Sequence, residues 1–83
     1  MFEENLDIFF INHPDEWPNW PFLPVKKYIN RDMITGIIHA SDTSKVFMAN
    51  LFTLPNTFEE FKRLENESYS STEEMIADGW EVD

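Results

Sequence analysis

The stretch Val25-Lys26-Lys27-Tyr28-Ile29-Asn30-Arg31-Asp32-Met33-Ile34-Thr35-Gly36-Ile37-Ile38-His39-Ala40-Ser41-Asp42-Thr43-Ser44-Lys45-Val46-Phe47-Met48-Ala49-Asn50-Leu51-Phe52-Thr53-Leu54 decides the fold. Its apolar segments are rich in β-branched and aromatic residues, which suit a pleated, half-buried surface. Short clusters of turn formers separate them. Residues 25–29 are predicted as a strand, residues 30–32 as its turn and residues 33–40 as a second strand, with Gly36 at a bulge or a close approach. A four-residue hairpin loop is expected at 41–44, and residues 45–54 return as the partner strand. The outcome is an antiparallel meander.

Upstream, residues 6–11 form an apolar run broken only by Asp7 and ended by His13-Pro14; it is predicted as a strand or extended segment buried on both faces. Residues 14–24 hold four prolines and two tryptophans. Proline fixes φ, removes a donor and extends the residue before it, so this stretch is expected to be an irregular loop and neither a helix nor an inner strand. Downstream, Thr57-Phe58-Glu59-Glu60 is a capping box after Pro55, and Phe58, Phe61 and Leu64 recur at helical spacing. A polar loop is expected at 65–70. Ser71-Thr72-Glu73-Glu74 repeats the capping box, Met75 and Ile76 face inward, and Gly79 suits the left-handed position past a helix end. Trp80 folds back on that helix, and residues 80–83 alternate as a short terminal strand would. The fold class expected is α+β: a meander of three to four strands packed with two short C-terminal helices, as one domain over residues 1–83.

A chain of 83 residues buries only roughly 60–65% of the surface its unfolded form exposes, so its core is small. The composition compensates with 42% hydrophobic residues, eight Phe and three Trp. There is no cysteine, which removes disulfides and Cys-based zinc sites. The start, Met1-Phe2-Glu3-Glu4-Asn5-Leu6-Asp7, is acidic where a secretory signal is basic, and the apolar run after it is too short for a signal or a span. A cytoplasmic protein is expected.

Sixteen acids face six bases, for a net charge of −10, and residues 56–83 alone hold nine acids against two bases. Such a surface repels phosphate backbones and anionic membranes and attracts basic proteins. Direct nucleic-acid or membrane binding is therefore not expected. Glu59-Glu60 and Glu73-Glu74 complement helix dipoles in first turns. That leaves Glu65, Glu67, Asp78, Glu81 and Asp83 as candidates for a partner surface.

No constellation for chemistry stands out. His13 and His39 are the only histidines, the serines lack a nucleophile-elbow setting, and two glycines cannot build a phosphate-cradling loop. His39, at a strand end beside a turn, reads as a structural residue. His13-Pro14-Asp15-Glu16 lies in one loop without ligand spacing. No catalytic residue, cofactor or metal is expected. Pro21-Phe22-Leu23-Pro24-Val25-Lys26 fits the pattern of polyproline ligands but is wedged between strands rather than in a tail. The most unusual stretch is Trp17-Pro18-Asn19-Trp20-Pro21-Phe22: either a lid over a small sheet or a pre-ordered binding anchor, with Trp17, Trp20 and Phe22 the contacts. One tryptophan can serve each role.

The segments 17–27, Asn50-Leu51-Phe52 and 71–83 together resemble short accessory proteins of phages and prophages. The resemblance implies stoichiometric modulation of host machinery, in some cases by imitating the charge of DNA, including anti-host or anti-defence roles. It transfers no site residue. The expected function is a protein-binding modulator or inhibitor whose acidic surface engages a basic partner, a nucleic-acid-handling enzyme being one kind. The rival is an assembly protein that forms homodimers or larger oligomers through its aromatic loop and sheet edge.

Overall fold

The computed structural model describes residues 6–83; the acidic start read from residues 1–5 lies outside them. The chain is α+β. Strands β1 (Phe22–Ile29), β2 (Asp32–His39), β3 (Asp42–Phe47), β4 (Asn66–Ser68) and β5 (Glu81–Val82) form one antiparallel sheet in the order β4-β3-β2-β1-β5. Three short helices join it: α1 (Leu6–Asn12), α2 (Phe58–Lys62) and α3 (Thr72–Ala77). The meander expected from 25–54 is present in β1–β3. Five strands and three helices replace the expected three to four strands and two helices.

The differences have local causes. Residues 6–11 are helical, not extended. A continuous apolar run does not distinguish a buried strand from a buried helix, and here Ile8 and Ile11 turn one side of a helix inward. His13 Nδ1 lies 2.8 Å from the Phe9 carbonyl, so the imidazole closes the helix end by donating to it. The proline-rich stretch is more regular than expected: Pro14–Glu16 is a 3₁₀ turn, and β1 begins at Phe22 and takes in Pro24. Pro24 is tolerated inside an inner strand because its carbonyl, and therefore its donorless nitrogen, faces the β5 side, where Asp83 N–H donates to the carbonyl at 3.1 Å. No ladder bond to β2 is lost.

Both hairpins are tighter than expected. Asn30-Arg31 alone turns β1 into β2, with Asn30 left-handed at φ 58°, a conformation Asn tolerates. Ala40-Ser41 links β2 to β3, because the Asp42 carboxylate accepts from Ser44 N–H and leaves these residues free to begin the strand. β3 stops at Phe47 rather than reaching residue 54. Beyond it Asn50 accepts from Phe52 N–H at 2.9 Å with its side chain and from Thr53 N–H at 3.2 Å with its carbonyl, which makes a turn over residues 50–53. The loop expected at 65–70 contains β4, which pairs Val46 with Glu67 and Phe47 with Asn66. The two helix starts follow the capping reading in part. Thr57 and Ser71 hydroxyls accept from Glu60 and Glu74 N–H, but the Glu74 carboxylate reaches Ser70 rather than the cap residue.

Strand alternation divides the core. On one face Leu23, Val25, Ile38 and Val46 meet Ile11, Trp17, Met75 and Trp80 beneath α1, α3 and the 3₁₀ turn. Gly36 makes this face possible: a Cβ there would collide with Val46 Cγ1 and lie 3.2 Å from Trp80 Cη2. On the opposite face Ile37 and Phe47 meet Phe61 of α2, with Phe22, Leu51, Leu54 and Leu64 around them.

Candidate functional site

The Trp-Pro segment splits its rings. Trp17 is 4% exposed and its indole N–H donates to the Phe10 carbonyl at 2.6 Å, which fixes the 3₁₀ turn against α1. Trp20 is 63% exposed and projects from the sheet's end. Phe22 is half-buried and packs edge-on against Phe61 and His39. Of the three aromatic candidates, Trp20 alone is freely presented.

The acidic candidates divide in the same way. Lys27, 8% exposed, extends along the face under α1 and α3 to Asp78 at 3.0 Å and Glu67 at 3.7 Å, with its ammonium 5.0 Å from the Trp80 ring centre. Tyr69 completes the cluster: its hydroxyl accepts from Trp80 Nε1–H at 2.9 Å and sits 2.5 Å from both Glu67 and Asp78. One phenolic proton serves one carboxylate at a time, and Lys27 lies beside both. Burial, with the hydrogen bonds to Asp78 and Glu67, pushes the Tyr69 hydroxyl above the usual phenol range. The Tyr69 hydroxyl and then Lys27 hold the Asp78 carboxyl below the usual carboxylate range. Glu81 and Asp83 lie 3.9 and 3.6 Å from Lys26. Glu65 is exposed, with its backbone carbonyl accepting from Met48 N–H. Only Glu65 among the five therefore has no cation beside it.

Other free acids lie elsewhere. Among the described residues Asp15, Glu16, Asp32, Glu60, Glu65, Glu73 and Glu74 have no ion pair; all four lysines do, and Arg31 and Arg63 do not. Thr72 Oγ1 donates to Asn12 Oδ1 at 2.7 Å, which ties the end of α1 to the start of α3. In sequence the 3₁₀ turn carrying Asp15 and Glu16 follows one side of that contact, and Glu73 and Glu74 follow the other. Next to them an open depression of about 620 Å³ is lined by Glu67, Ser68, Tyr69, Glu74, Ala77 and Asp78. Sequence reasoning discounted Glu73 and Glu74 as dipole complements and missed Tyr69. Lys27 was missed as well; its place two residues after buried Val25 on the same strand is the signal that could have found it.

His13 and His39 lie on opposite faces of the sheet, His13 stacked on Phe9 of α1 and His39 against Phe58 and Phe61 of α2. No group of three or more His, Asp and Glu side chains among the described residues is placed to hold a metal ion. Likewise, no described helix is long and apolar enough to cross a membrane. No protein-family model, curated protein or solved structure matches the chain, so the reading of its surface rests on the residues themselves.

Proposed function

We propose that the chain is a stoichiometric protein-binding modulator whose acidic helical end engages a basic protein. The observation that carries this reading is the uneven use of charge. Lys26 and Lys27 are each bound to two carboxylates and Lys45 and Lys62 to one, while Asp15, Glu16, Glu73 and Glu74, which follow the two sides of the Asn12–Thr72 contact in sequence, have no ion pair. A potential of one sign, concentrated beside an open depression, steers oppositely charged partners. Nucleic acid would be repelled and would compete for the same partner.

The test is salt-dependent association. Capture of a basic partner on the immobilised chain should fall steeply as salt rises from about 0.05 to 0.5 M, where the Debye length shrinks from more than 10 Å to a few Å. Reversing Glu16, Glu65, Glu73 and Glu74 to Lys should slow association much more than it alters the melting temperature. A complex indifferent to both salt and reversal removes the acidic end from the mechanism. A second reading, self-association through the aromatic loop and sheet edge, has its own support in Trp20 at 63% and Phe52 at 97% exposure. Light scattering separates the two: a monomer at working concentration rejects self-assembly.

A further inference from the structure

We infer that the chain carries a second, chemically opposite site: a small cavity between β2, β3 and α2 that takes a compact aromatic anion, such as an aryl carboxylate or aryl phosphate. The cavity measures about 230 Å³ and is lined by His39, Ser41, Asp42, Lys45, Phe47, Phe58, Lys62 and Asn66. In an otherwise acidic molecule it is the place where Lys45 and Lys62 converge with an imidazole, an amide and a hydroxyl. Its volume falls below the roughly 300–1,000 Å³ of drug-sized sites, so its occupant is small.

The polar atoms favour an anion. Ser41 N–H donates to His39 Nδ1 at 3.0 Å, so Nδ1 is an acceptor and the proton of the neutral ring sits on Nε2. Nε2 has no partner among the described residues, which leaves a free N–H donor on a residue that lines the cavity. Asp42 is the one carboxylate in the lining, and it is already engaged: Oδ1 accepts from Ser44 N–H and Oγ–H, and Oδ2 lies 3.8 Å from Lys45. With Asp42 counted, the lining still carries one net positive charge. The pairs Lys45–Asp42 and Lys62–Glu59, at 3.8 and 3.6 Å, are long and exposed, so both ammoniums can turn to an anion between them.

The aromatic preference follows from the walls. Phe58 and His39 stand 4.5 Å apart with their planes tilted by 40°, and Phe58 is 42% exposed. Lys62 already lies 5.2 Å from the Phe58 ring centre. An aryl group can stack on Phe58 or His39 while its carboxylate or phosphate meets Lys45, Lys62 and Nε2–H.

Phenyl phosphate, benzoate, inorganic phosphate and benzylamine, titrated separately into the full chain and followed by amide and imidazole NMR, test the assignment. Phenyl phosphate or benzoate should give saturable shifts centred on His39, Ser41, Phe58 and Lys62, with a Kd of about 1 mM or tighter. Lys45→Met and Lys62→Met, both surface changes, should each weaken that binding by about fivefold or more. His39→Phe keeps a ring against Phe61 but removes the donor, and should weaken it likewise. The assignment is overturned by the absence of saturable shifts with both aryl anions, or by equal binding of inorganic phosphate. Tighter binding of benzylamine, or full affinity in both lysine variants, would also overturn it. None of these outcomes depends on the acidic end of the helical layer.

Discussion

The two faces of this sheet are built from one set of strands and finished differently. The face under α1 and α3 is closed: Ile11, Val25, Ile38, Val46, Met75 and Trp80 are almost wholly removed from water, and Lys27 crosses it under a roof of Glu67, Tyr69 and Asp78. The face under α2 is half-finished. Five-residue α2 and the turns after β3 cover one end of it around Phe61, while Tyr28, Met33 and Phe52 stay exposed. Stability in so short a chain is concentrated on the first face. The second face and the outer acidic rim are left free for contacts.

The sharpest way to break this contrast is to remove large side chains from each side. Trp80→Ala or Trp17→Ala should destabilise by about 3–5 kcal/mol, and Trp80→Ala also strips the donor from Tyr69 and the ring from Lys27. Phe52→Ala and Trp20→Ala, both at exposed positions, should change stability by no more than about 0.5 kcal/mol. Urea titration of the four variants decides it. Comparable losses from Phe52 and Trp80 would mean that the open face is part of the core.

Next in size is Gly36. A methyl group there meets Val46 and Trp80 on the closed face, and overpacking of this kind costs about 1–3 kcal/mol. Gly36→Ala should therefore lower the urea midpoint clearly. Combined with Val46→Ala, which vacates the nearest contact, it should be less harmful than the two single losses added together. Strict additivity would show that the close approach is not what requires glycine.

How much of this was readable beforehand depends on what sets each feature. Local chemistry was legible: the meander in β1–β3, the caps at Thr57 and Ser71, the left-handed Gly79 at φ 108° and the return of Trp80 to the core. Features set by tertiary partners were not. Residues 6–11 are helical because α3 offers a helix to pack on, and residues 66–68 form a strand because β3 has a free edge. The acidic candidates fared similarly. No sequence pattern announces that Lys26 and Lys27 would reach Glu67, Asp78, Glu81 and Asp83 across some 40 to 57 residues of chain. Counting acids finds most of the charge in the last third of the chain, but Asp15 and Glu16 come from the first, and pairing decides which acids remain free.

A smaller effect separates the two caps. Ser71→Ala and Thr57→Ala each remove one hydroxyl from a first-turn N–H, a loss of about 1 kcal/mol. α3 lies on the closed face, so Ser71→Ala should lower global stability. α2 holds the open face through Phe58 and Phe61, so Thr57→Ala should chiefly speed hydrogen exchange in residues 58–64. Equal global losses from both caps would place α2 in the same cooperative unit as α3.

The smallest expected effect, and the most diagnostic for the open face, is a pH dependence carried by His39. Partial burial among Phe22, Phe58 and Phe61 lowers its pKa below the usual imidazole value, and the hydrogen bond from Ser41 N–H to Nδ1 also favours the neutral ring. The charged groups lining the same cavity are Lys45, Lys62 and Asp42. Because the folded chain holds this proton less tightly than the unfolded one, the unfolded state takes up more protons just below pH 6.5. Stability should therefore decline as pH falls through about 6.5 and level off once pH lies below the folded pKa. The His39→Phe variant should lack that increment, so the difference between the two stability curves isolates it. An opposite slope, with the wild type gaining stability on acidification relative to His39→Phe, would mean that the imidazole is charged in the folded chain. In that case Nδ1 could not be accepting from Ser41, and the open face would be organised around an imidazolium rather than a neutral donor.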